Sequence, residues 1–125
     1  MPAVVYECDA SEAAELKKFL EYDPYLDKSL DDEALKKLHD DKQANIIFSR
    51  QEFSLRDGAS LGLSKDKSYL YINANEDFLK GADEKLKKSF KSIRRAPNGE
   101  EQKFISIIDE EHNMGNAGIG AIFGG

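Results

Sequence analysis

Between Phe53 and Ile93 the spacing of the apolar residues changes from alternation to steps of three and four, so the fold must join a sheet to a helix. Phe53 and Leu55 alternate with Ser54 and Arg56, and Ala59, Leu61 and Leu63 with Ser60, Gly62 and Ser64. Tyr69 and Tyr71 then stand opposite Leu70 and Ile72. Strict alternation sends successive side chains to opposite faces of a strand. Asn45 to Arg50 is a further β-favouring run, and Asp57-Gly58 is a turn pair suited to a two-residue hairpin. These signals predict an antiparallel meander of three to four strands. Leu79, Ala82, Leu86, Phe90 and Ile93 follow at helical spacing and form one apolar face of a helix near 76–95. Asn75 is its expected cap, with Glu76 and Asp77 placed to meet the positive end of the helix dipole.

The flanking segments complete an α+β class. Pro2 to Glu7 reads as a short strand joining a sheet edge, with Val4 and Tyr6 on one side and Val5 on the other. Asp9 and Glu12 have the spacing of a reciprocal cap for a helix near 11–21 that carries Leu16, Phe19 and Leu20. Asp23-Pro24 ends that helix, because the residue before proline is pushed out of the α region. Ser29 is the expected cap of a second short helix with Ala34, Leu35 and Leu38 on its apolar stripe. Ala96-Pro97-Asn98-Gly99 reads as a turn, and Phe104 to Ile108, apolar on both sides, as a C-terminal strand inside the sheet. The expected architecture is an antiparallel sheet with a long amphipathic helix across one face and two shorter N-terminal helices. Residues 1–112 form the expected single domain, and residues 113–125 a glycine-rich apolar C-terminal tail holding five of the nine glycines.

Composition narrows the chemistry. A length of 125 residues suits one domain with its own core. Cys8 is the only cysteine, which rules out an intramolecular disulfide and a thiolate zinc site. With no secretory leader and no long apolar run, the expected location is the cytoplasm. His39 and His112 both stand beside acids, yet neither belongs to a metal-binding or catalytic spacing, and no nucleophile elbow or phosphate-cradling loop is present. The expectation is therefore a protein that is not an enzyme, with no cofactor, no metal, no membrane segment and no small-molecule substrate identified.

Three surfaces remain. Lys80, Lys87, Lys91 and Arg94 fall near one line of the long helix and could track phosphates, but the net charge of −6 argues against nucleic acid. Tyr69, Tyr71, Ile119, Ile122 and Phe123 would form a patch for a protein partner or for self-association, if one face of the sheet stays open. The final Gly124-Gly125, together with the strand–helix–strand order over 46–108, resembles the ubiquitin-like modifiers and sulfur carriers. That resemblance implies adenylation of Gly125 and a thiocarboxylate or isopeptide link. The leading expectation is a non-catalytic protein-interaction module.

Overall fold

The computed structural model of the chain describes residues 2–41 and 46–123, with the backbone alone over 114–123. Its centre is a pair of antiparallel strands, β1 (Ala3–Asp9) and β3 (Lys67–Asn73), paired from Ala3↔Asn73 to Asp9↔Lys67. β2 (Glu52–Asp57) lies outside β3 with Leu55 opposite Leu70, and β4 (Arg94–Arg95) lies outside β1 with Arg95 opposite Tyr6. The sheet order is β2-β3-β1-β4. Among the described residues four α-helices surround it: α1 (Ala13–Glu21), α2 (Asp32–Asp40), α3 (Glu76–Ser89) and α4 (Asn98–Phe123).

Alternation along the strands sorts the core into two layers. Val4, Tyr6, Cys8, Leu70 and Ile72 meet Leu16 and Leu20 of α1 and Ala82 and Leu86 of α3. Val5, Tyr69 and Tyr71 point the other way and meet Phe104 and Ile108 of α4. The α+β class with an antiparallel sheet is as the sequence predicts, and so are the Asn75 cap and the break at Asp23-Pro24. Both faces of the sheet are covered, however. Residues 104–108 are helical, not a strand. Phe104, Ile105, Ile107 and Ile108 satisfy either period, and Glu100 and Glu101 in the first turn favour the helix through its dipole.

Other expectations move for local reasons. β1 is a central strand, because both of its edges find partners. The expected meander shrinks to the β2–β3 hairpin: Ala59–Leu61 is a 3-10 turn and Gly62 takes φ +70°, a left-handed conformation that suits glycine. Of the run at 45–50, Phe48–Arg50 is a 3-10 turn and residue 45 lies outside the described residues. α3 stops at Ser89, and the chain then extends so that Arg94 and Arg95 pair with β1. Phe90 and Ile93 still reach the same core, so their helical spacing is honoured without helix. Asp31, not Ser29, caps α2 by accepting the Ala34 N–H at 2.8 Å. Asp9 makes no side-chain cap; it pairs with Lys67 at 2.8 Å, while Glu12 accepts the Ser92 N–H at 3.0 Å.

β4 is too short to pair with the whole of β1. Ala96 N–H donates to Val5 O at 2.9 Å, and there the ladder ends, because the chain turns into α4 from Asn98. The Val5 N–H donates instead to Glu101 Oε2 of α4 at 2.9 Å. That buried carboxylate also holds the Arg95 guanidinium, with one contact of 2.9 Å from Nη2 to Oε1. Beside it the buried Glu7 holds Arg94.

Two substitutions test this frame. Glu101→Ala leaves the Val5 N–H buried without an acceptor and should cost about 2–4 kcal/mol in urea unfolding, with Glu101→Gln costing less because it retains an oxygen. Gly58→Ala should also destabilise, by about 1–3 kcal/mol, since the new Cβ would stand 1.7 Å from the Ser64 carbonyl oxygen.

Candidate functional site

A concave, largely apolar groove of about 560 Å³ opens between α1, α2, α3 and the turn Phe48–Arg50. Aromatic rings build its floor. Phe19 stacks obliquely with Phe48 at 5.6 Å between centroids and meets Phe90 edge-on at 5.2 Å. Phe48 in turn meets Phe78 edge-on at 5.7 Å. Ile46 forms one side of the groove and lies against α3 because Gly81 has no side chain there; a Cβ would stand 2.5 Å from Ile46 Cδ1.

The opposite side is α2 with the segment leading to it. Asp23 accepts the Tyr25 N–H at 2.9 Å and pairs with Arg50 at 3.0 Å, which fixes the 3-10 turn Pro24–Leu26. α2 carries Ala34, Leu35 and Leu38 on one side, yet none of its residues is buried. Leu30, Ala34 and Leu38 therefore line the groove without closing it. An amphipathic helix in a finished core would bury that stripe fully.

One ammonium group reaches into this apolar setting. Lys85 Nζ donates to the Ile46 carbonyl oxygen at 3.0 Å and stands 5.5 Å from the centre of the Phe19 ring. Burial holds its pKa below the usual lysine range, with the Asp41 charge acting in the opposite direction. Lys37 and Asp41 are the other charged residues lining the groove among the described residues. No carboxylate among the described residues pairs with Lys85 within 4.0 Å.

A second, polar cleft lies over β1 and α3, lined by Tyr6, Lys80, Asp83, Lys87 and Arg95 among others. Its polar groups engage one another. Tyr6 donates its hydroxyl to Asp83 at 2.8 Å, and Lys87 pairs with Asp83 at 3.0 Å. Burial, then the bond to Asp83, holds the Tyr6 hydroxyl far above the ordinary tyrosine pKa.

The residues singled out from the sequence fall as follows. Tyr69 and Tyr71 are 0 % and 3 % exposed beneath α4, so the open tyrosine patch does not exist. Lys80 and Lys87 are exposed on α3, but Lys91 lies beyond the helix and Arg94 sits on β4, paired with Glu7. The expected basic line is therefore broken where α3 ends. Ile119, Ile122 and Phe123 fall on the last turns of α4, where the backbone alone is described. Gly124 and Gly125 lie outside the described residues. His39 is on α2 in one helical layer, and His112 is on α4 in the other, 3.3 Å from Glu52. No cluster among the described residues could hold a metal ion, and none of the described helices is long and apolar enough to cross a membrane.

Sequence reasoning overlooked Lys85, Leu30 and Ile46. For Lys85 a signal was available: it follows Phe78 by seven residues and Ala82 by three, on the flank of the α3 apolar face. Comparison with protein-family models, curated proteins and solved structures finds no match.

Cys8 gives a direct test of the core. Its thiol is buried and its pKa is pushed up to about 11, first by burial and then by the charges of Glu12 and Asp9. Only roughly a thousandth is thiolate at pH 8, so iodoacetamide should label the folded protein far more slowly than the urea-unfolded chain.

Proposed function

We propose that this protein is a non-catalytic binding module whose working surface is the groove between α1, α2 and α3. The observation that carries this reading is the half-buried stripe of α2 facing an aromatic floor. Apolar surface is left open there, where an ordinary core would close. Its volume of about 560 Å³ falls in the range that small ligands occupy.

Binding chemistry fits the remaining groups better than catalysis. The one thiol is raised out of its reactive range, and the two histidines lie in separate layers. Such a module holds an apolar ligand by burial, and the affinity grows with the area removed from water.

A neutral, environment-sensitive dye such as N-phenyl-1-naphthylamine tests the reading. Its fluorescence should rise and shift to the blue on addition of the folded protein. Ala34→Trp, which places an indole in the groove from the exposed helix α2, should weaken dye binding by about tenfold or more while leaving the melting temperature within a few degrees. Equal dye binding by this variant would move the binding surface elsewhere.

A further inference from the structure

The groove combines a largely apolar lining with the Lys85 ammonium group, and the other described charged residues there do not neutralise the set. Among the described residues, Lys37 and Lys85 stand against Asp41, which leaves one positive charge in excess. Of the three N–H donors on Lys85 Nζ, one is used by the Ile46 carbonyl. The others have no carboxylate within ion-pair distance among the described residues. The lysine stem runs along apolar surface, and its charged end meets the Phe19 ring at 5.5 Å. A half-buried cation keeps part of the cost of an unpaired charge, and an anion that brings its own apolar body would satisfy both parts of the site.

We propose that the groove takes a single-chain anionic amphiphile, an alkyl carboxylate, with its head group on Lys85 and its chain across Phe19, Phe48 and Leu38. The inference rests on the binding role assigned above and names the ligand class. A carboxylate is favoured over a phosphate because the excess charge is single. A phosphate dianion calls for several donors, typically with an arginine fork, and the groove lining contains no arginine. A long neutral lipid would leave the spare Lys85 donors without an acceptor.

Calorimetric titration of the full chain with octanoate, decanoate and dodecanoate, each below its micelle concentration, tests the assignment beside the matched alcohols and alkyltrimethylammonium salts. Each added pair of methylenes should tighten carboxylate binding by roughly fifteenfold, at about fourfold per buried methylene. The carboxylate should bind about tenfold or more tightly than the alcohol of equal length, as a charge-assisted hydrogen bond requires. The ammonium series should bind most weakly. Lys85→Met should bring the carboxylate down to the alcohol's affinity and leave the alcohol within about twofold. Amide chemical-shift changes on adding decanoate to the unmutated protein should centre on Ala34, Leu38 and Lys85 and spare α4, which keeps the test valid should Lys85→Met misfold.

Equal affinities for carboxylate and alcohol, or shift changes centred on α4, would overturn the ligand assignment. With neutral-dye binding intact, the binding role would survive that failure; with no dye binding, both would fall. Dye displaced by a model amphipathic leucine–lysine peptide, but not by dodecanoate, would also overturn it and give the groove to a protein segment.

Discussion

The Glu101 carboxylate is the interaction on which the arrangement of layers depends. The edge of β1 has a backbone N–H at Val5 that β4 is too short to meet, and a buried donor without an acceptor is costly. Glu101 supplies the acceptor from the first turn of α4 and at the same time holds Arg95. One side chain thus meets the free edge of the sheet and ties the first turn of α4 to β1 and Arg95, and α4 then lays Phe104 against Tyr71. The Tyr71 and Phe104 rings, 5.8 Å apart, record that contact.

The placement of α4 explains why the open groove is on the other side. Once α4 covers Val5, Tyr69 and Tyr71, that face of the sheet is closed. On the opposite face α1 and α3 already bury the strands, so α2 has no sheet left to cover. It packs instead as an outer flap beside Phe19, Ile46 and Phe48, held by its Asp31 cap and by the Asp23–Arg50 pair that anchors the turn before it. Apolar surface that no other described element covers becomes a groove, and Lys85 lends it chemical character.

Much of the fold was legible because local signals agreed. The faces of β1 and β3 follow from alternation, α3 from its apolar steps and its Asn75 cap, and the end of α1 from Asp23-Pro24. Errors arose where a segment satisfied two periods. Phe104 to Ile108 contains four apolar residues in five and fits a buried strand or a helix equally well. Glu100 and Glu101 were the evidence for helix, and the turn-like Pro97-Asn98-Gly99 ahead of them masked it. Likewise the spacing that carried α3 on to Ile93 was real, but Phe90 and Ile93 reach the core from extended chain. The groove was less legible than the fold. Leu38 is visible as part of an amphipathic stripe, yet nothing local says that the stripe will remain half covered, and Lys85 looks like one of many surface lysines.

By itself the sequence determined the class of fold, the two faces of the central strands and, with a single cysteine, that no disulfide can form within these 125 residues. These depend on residue type and short-range periodicity, which act before distant parts of the chain meet. Only the tertiary structure decided that β1 lies inside the sheet, that Tyr69 and Tyr71 are covered, and that Lys85 faces an open apolar groove. Those outcomes depend on which segments compete for the same buried surface and on where a single unpaired N–H finds its acceptor, and both are settled by contacts across long stretches of chain.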